Sequence, residues 1–164
     1  MRAVQILVAV GVVLAAAPLA QGAEFSDPKA LVTAIYAEYQ PGVMASDPSV
    51  YYSQRLKAIF EQASENRVLS DDDARPDAIQ PVPRFNPFLP DVSALLFDVS
   101  IGEPVLIGDR ALVNVSYHNF DHPRLLSIAA VREDGGWKVD DVASLGDEDH
   151  WLLSWALIYD PLRN

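Results

Sequence analysis

An α+β fold is predicted by three patterns met in order along the chain. Two stripes of apolar residues at helical spacing precede residue 70, alternating apolar and polar runs fill residues 97 to 142, and a last helical stripe follows Gly146. Together they give N-terminal helices packed on an antiparallel sheet of four or more strands, with a C-terminal helix.

The chain opens outside that fold. Arg2 precedes an uncharged apolar run from Ala3 to Ala20, and Ala20-Gln21-Gly22 puts small residues at the −3 and −1 positions of a cleavage site. This is the pattern of a secretory signal peptide over residues 1–22. Its apolar core, Ile6 to Ala17, is shorter than the ~20 residues of a membrane span, so no stable anchor is expected after cleavage; an uncleaved N-terminal anchor is the competing reading. Residues 23–164 then form a single domain.

Ser26-Asp27-Pro28 is a helix start, because Ser26 or Asp27 can accept from orphan amides and proline is tolerated at the first helical position. Leu31, Val32, Ile35, Tyr36 and Tyr39 form its inner stripe, and Gln40-Pro41-Gly42 ends it. Ser46-Asp47-Pro48 repeats the signal for a second helix, with Tyr52, Leu56, Ile59, Phe60 and Ala63 facing inward and an end near Asn66. Residues 70–90 carry Asp71-Asp72-Asp73 and then Pro76, Pro81, Pro83, Pro87 and Pro90, which exclude helix and central strand. This is a long loop, and Phe85, Phe88 and Leu89 predict that its end docks on the core.

In the strand region Phe97, Val99 and Ile101 oppose Asp98 and Ser100, while Val113, Val115 and Tyr117 oppose Asn114, Ser116 and His118. Gly108-Asp109 reads as the hairpin turn between these runs and Asp121-His122-Pro123-Arg124 as the next turn. Asp134-Gly135-Gly136 then supplies the positive φ of a tight hairpin joining Leu125–Glu133 to the strand that begins at Trp137. A two-residue loop puts Leu126, Ile128 and Ala130 on one face with Trp137, Val139 and Asp141, and turns Lys138 and Asp140 away. A three-residue loop moves the partner face to Ala129 and Val131 and leaves Asp141 beside Trp137 and Val139. After Gly146, Asp147 to Asp149 open a helix in which Trp151, Leu152, Trp155, Ile158 and Tyr159 face inward, and Pro161 stops it.

The net charge is −11, deepening to −12 when Arg2 leaves with the signal, so nucleic acid and anionic membrane are excluded as partners. The chain has no cysteine, which removes disulfides, thiolate metal sites and a cysteine nucleophile. An exported cysteine-free chain fits the bacterial periplasm or secretion into the medium.

The helix carrying Tyr52-Ser53-Gln54-Arg55-Leu56, the Phe85-Asn86-Pro87-Phe88 loop, the sheet, and Trp137-Lys138-Val139-Asp140-Asp141-Val142 resemble an exported bacterial family of unknown function. That family looks like part of the nuclear-transport-factor-2-like, or SnoaL-like, superfamily. The resemblance spans most of residues 24–160 and implies a cone-like roll in which helices pack against a strongly curved sheet. The superfamily includes ketosteroid isomerase, polyketide cyclases and non-catalytic binding modules, so fold alone selects no reaction. The isomerase's base and oxyanion-hole tyrosine do not align onto named positions here, and neither is carried over.

Six residues are candidate pocket residues. Asp141, set against Trp137 and Val139, is a candidate general base, or else a carboxylate bonded to strand-end amides or to Arg55. Tyr117 on the inner row is a candidate hydrogen-bond donor to a ligand, or a core tyrosine. Arg55 could hold a carboxylate ligand with its planar fork, or close a structural salt bridge. Tyr36 and Tyr52, with Tyr39 and Tyr51 nearby, could line a pocket, although aromatics at helical spacing belong first to a core. His118, His122 and Asp121 offer ligand atoms around one turn without the compact spacing of a metal signature, and Asp71–Asp73 lacks the spaced ligands and glycine of a calcium loop. No phosphate loop or nucleophile elbow is present, and no metal or cofactor is expected.

Three functions fit these features. The first is an exported non-enzymatic binding module with a small apolar cone pocket, monomeric or homodimeric. The second is an isomerase, cyclase or dehydratase with Asp141 as base and Tyr117 as donor. The third is a protein-binding inhibitor or immunity factor whose acidic surface suits a basic partner. A pocket of roughly 300 Å³ or more favours the first two, and a filled interior with exposed apolar surface favours the third.

Overall fold

Helix α1 runs from Pro28 to Ala37 in the computed structural model, which describes residues 24–40, 47–70, 86–89, 95–146 and 150–159. The Asp27 carboxylate accepts from the Ala30 amide at 2.9 Å, so the expected cap forms. Leu31, Val32, Ile35 and Tyr36 are buried, while Tyr39 lies beyond the helix and is half-buried. The second helical pattern divides in two. Pro48–Tyr51 is a 3₁₀ turn capped by Asp47, and α2 runs from Gln54 to Ser70, past the expected end. Tyr52 separates them because it is extended and bridges Val139 of the sheet. Leu56 and Ala63 remain buried, and Ile59 and Phe60 are half-buried.

The strands are β1 (Leu96–Ile101), β2 (Val105–Ile107), β3 (Arg110–Asn119), β4 (His122–Glu133), β5 (Gly136–Ser144) and β6 (Trp151–Leu152). They form one antiparallel sheet in the order β1-β3-β4-β5-β6, with β2 pairing the other half of the β3 edge. Helix α3 (Leu153–Tyr159) follows directly. The architecture is therefore α+β, with helices before and after a six-stranded antiparallel sheet.

The β3 row of Ala111, Val113, Val115 and Tyr117 is buried and its alternate residues are outward, as the alternation predicts. Opposite it stand Ala130, Ile128, Leu126 and Arg124 of β4. The Asp134-Gly135 turn is the two-residue kind, with φ of 50° and 86°, and it pairs Glu133 with Gly136. Trp137 and Val139 face the core, and Trp137 also bridges Phe25, its amide donating to the Phe25 carbonyl at 2.8 Å. The 86–89 segment docks as expected. Phe88 is buried, and its carbonyl accepts from the Tyr36 hydroxyl at 3.2 Å.

Four expectations are corrected. The first strand does not alternate cleanly: a bulge between Phe97 and Ser100, with Asp98 at φ 53°, leaves Phe97 and Val99 exposed and only Leu96 and Ile101 against the core. The Gly108-Asp109 turn joins β3 to β2 rather than to β1, because Gly102 to Pro104 interrupt the edge. The next turn is Phe120-Asp121, and His122 to Arg124 already pair with β3. Lastly, Trp151 and Leu152 are strand, and Trp155, Ile158 and Tyr159 of α3 point to solvent, while Leu153 is buried and Leu157 packs on the core. The signal peptide, most of the 70–90 loop, Asp147–Asp149 and Pro161 lie outside the described residues.

Candidate functional site

Val139 and Val142 both face the core, three positions apart in one strand. Strict alternation forbids this, and β5 resolves it with a bulge: Ala130 pairs with Val139, Ala129 with Asp141 and Ile128 with Val142, leaving Asp140 as the extra residue. Asp141 is thereby turned away from the core row, beside Asp140. Asp141 does not share the face of Trp137 and Val139, which corrects the sequence expectation and takes it away from the Tyr117 row. Asp140 does point away from that face, yet it is buried too.

The two carboxylates are covered by the first turn of α2 and the start of α3. Ser53 caps α2, accepting from the Leu56 amide at 3.0 Å and donating to Asp140 at 2.8 Å. The Ser53 amide donates to the Val139 carbonyl at 2.8 Å, and Glu133 accepts from the Gln54 amide at 3.0 Å. Arg55 donates through Nε to both Asp140 oxygens at 3.0 and 3.1 Å, and through Nη2 to the Asp140 carbonyl at 2.9 Å. The same guanidinium lies 3.6 Å from Asp141, and Arg110 approaches Asp140 at 3.9 Å. The hydrogen bond from Asp140 raises the Arg55 pKa above its ordinary range, against the opposing effect of partial burial.

Asp141 closes the other side. Its Oδ1 accepts from the Val142 and Ser154 amides at 2.9 and 3.0 Å, and its Oδ2 accepts from the Ser154 hydroxyl. The carboxylate therefore caps α3 from a distant strand, where negative charge is favoured at a helix start. The result is a clasp of Ser53, Asp140, Arg55, Asp141 and Ser154 joining α2, the β5 bulge and α3.

The other candidates lie in or beside the core. Tyr36 and Tyr117 are adjacent, with ring centroids 6.2 Å apart. Burial, and then the neighbouring Tyr117, raises the Tyr36 pKa, while burial pushes Tyr117 up to about 12 against the lowering effect of Arg124. Tyr52 stacks on Phe60 at 5.2 Å and its pKa is raised by burial; its hydroxyl is buried without a hydrogen-bond partner. Tyr51 donates to Glu38, and burial followed by that bond pushes it up to about 12. Trp137 is a core residue. Arg55 and Asp141 thus come together in the clasp, and Tyr36 and Tyr117 come together in the core.

Beneath the sheet Val113, Val115, Ile128, Val139 and Val142 are fully buried. At the rim a groove lined by Ile35, Tyr36, Tyr51, Phe88 and Leu89 has a free volume of about 20 Å³, room for one water. His118 lies 3.9 Å from Asp98, and His122 lies 3.5 Å from Asp121, all four exposed. Among the described residues no group of three or more His, Asp or Glu converges on a metal position.

Sequence reasoning missed Asp140, Ser53 and Ser154. One signal was present: Val139-Asp140-Asp141-Val142 separates two apolar residues by three within a strand, a spacing that only a bulge reconciles with one buried face. No protein-family model matches this chain, and neither curated proteins nor solved structures yielded a match, so the clasp and the surfaces around it are characterised by their own geometry.

Proposed function

We propose that this chain is an exported, non-enzymatic protein-binding module, periplasmic or secreted, whose curved sheet and helices form a roll of the nuclear-transport-factor-2-like kind. One observation carries the choice among the three functions. Apolar side chains stand in solvent on α3 and on the edge strand β2, where Val105, Leu106 and Ile107 are all exposed, while Val113, Val115, Ile128, Val139 and Val142 are fully buried beneath the sheet. Exposed apolar surface of this kind marks interaction sites. A small-ligand module needs a cavity of roughly 300 Å³ or more, and the rim groove offers about 20 Å³. The isomerase-like reading is disfavoured because Asp141 is committed to Ser154 and lies away from Tyr117. The net charge of −11 supports a basic partner.

Native mass spectrometry of the protein isolated from the cells that export it tests this reading. The expected species carries a second, different polypeptide. A retained small molecule of a few hundred daltons would return the function to a ligand-binding module or an enzyme.

A further inference from the structure

Three short segments meet at the rim groove. The last turn of α1 brings Tyr36 and, just past it, Glu38 and Tyr39, the 3₁₀ turn brings Tyr51, and the docked 86–89 segment brings Asn86 and Phe88. Hydrogen bonds tie these segments together. The Tyr36 hydroxyl donates to the Phe88 carbonyl at 3.2 Å, the Tyr51 hydroxyl donates to Glu38, and Asn86 Oδ1 accepts from the Phe88 amide at 3.0 Å. The groove is therefore pre-formed, which lowers the entropy cost of filling it.

Both tyrosine hydroxyls have given away their one hydrogen, so only acceptor lone pairs remain on them. Glu38 is exposed, and the bond from Tyr51 uses one of the several acceptor sites of its carboxylate. Among the described residues lining the groove there is no lysine or arginine. Its occupant must then donate hydrogen bonds and carry positive charge. Tyr36, Tyr39, Tyr51 and Phe88 line the same space, and aromatic surroundings favour a cation over a neutral donor. Size makes the last selection, because a free volume of about 20 Å³ admits a head no larger than one water. A primary ammonium is that small; a guanidinium or a trimethylammonium is not. We propose that the groove holds the ε-ammonium of a lysine presented by the basic protein partner, an inference that rests on the protein-binding reading above. Glu38 receives the charge-assisted hydrogen bond, and the net charge of −11 draws such a partner in.

The probe is the peptide Gly-Lys-Gly with blocked ends, titrated into the isotope-labelled full protein while backbone amide shifts are followed by NMR. Saturable shifts at Tyr36, Glu38, Tyr39 and Phe88 are expected, with a Kd of about a millimolar for a single ammonium contact. Acetylation or trimethylation of the lysine ε-nitrogen, or arginine in its place, should weaken binding about tenfold or more, and so should Glu38→Gln. Glutamine keeps an acceptor for Tyr51 at an exposed position, so the urea midpoint of this variant should match the wild type. Asp109→Asn, at an exposed acid that does not line the groove, should leave the affinity unchanged. Equal affinity in Glu38→Gln, or no saturation, overturns the site while leaving the protein-binding reading intact; failure of that reading shows instead as a native mass spectrum without a second polypeptide. Equal binding of the trimethylated or arginine peptide overturns the selection of a primary ammonium. Spermidine bound at the same four residues about a hundredfold more tightly than the peptide gives the site to a free polyamine and overturns the partner's lysine. A concentration-dependent dimer in sedimentation, abolished by Glu38→Gln, gives it to a second copy and overturns the basic partner.

Discussion

Arg55 spans both carboxylates of the β5 bulge, 3.0 Å from Asp140 and 3.6 Å from Asp141, although only 48% of its own side chain is exposed. It also donates to the Asp140 carbonyl, so three of its contacts converge on two consecutive residues. The planar fork serves the carboxylate from Nε and that carbonyl from Nη2, two fixed nitrogens that the single nitrogen of an ammonium does not offer.

Arg55→Ala should therefore destabilise the fold by about 2 kcal/mol, below the ~3–5 of a fully buried pair because water already reaches the guanidinium. Arg55→Lys restores the charge but not the fork, and should recover less than half of that loss. Urea unfolding of the three proteins reads both effects. Full recovery by lysine would mean that charge alone matters here.

Asp141→Asn should also destabilise near neutral pH, by roughly 1–3 kcal/mol. The asparagine oxygen can still accept from the Val142 and Ser154 amides, but the nitrogen that replaces Oδ2 cannot accept from the Ser154 hydroxyl. Hydrogen exchange should rise in α3 before it rises in β3 and β4, because the clasp is local. An unchanged urea midpoint with unchanged α3 protection would remove Asp141 as the anchor of that helix.

Trp137→Ala should cost about 3–5 kcal/mol, the usual price for truncating a buried aromatic. Trp137 is 5% exposed and sits in the core cluster. Lys138 points from the opposite face, and Lys138→Ala should be nearly silent. Equal denaturation midpoints for the two variants would contradict the register of the β4–β5 hairpin.

Alkali should loosen the core through its tyrosines. Burial raises the folded pKa of Tyr36 and pushes that of Tyr117 up to about 12, against an unfolded value of about 10. The unfolded chain then loses protons first, so the stabilisation is complete below pH ~10 and is lost as pH climbs towards ~12. Tyr117→Phe has no proton to lose. Plotted against pH from about 9 to 12, its unfolding free energy should fall less steeply than that of the wild type, and parallel curves would refute the assignment.

What the sequence by itself determined was local. Asp27-Pro28 and the stripe from Leu31 to Tyr36 specify α1, because a capping carboxylate and 3.6-residue spacing act within one helix. Asp134-Gly135 specifies the hairpin, since only residues tolerant of positive φ make a two-residue turn. The burial of Phe88 was legible as well, from aromatic residues set between prolines that exclude regular structure.

Tertiary structure decided the positions where two local rules compete. Alternation alone assigns Asp141 to the inner face, but the core accepts Val139 and Val142 together, and the chain inserts a bulge to bury both valines. That single extra residue turns Asp141 outward beside Asp140, where Ser53, Arg55 and Ser154 meet the two carboxylates from other segments of the chain. The rotation of α3 follows from the same event. Trp155, Ile158 and Tyr159 look like a buried stripe by spacing, yet the bonds from Ser154 to Asp141 fix the helix with Leu153 inward and the aromatics outward. Spacing tells which residues share a face; only the partner across the sheet tells which way that face points.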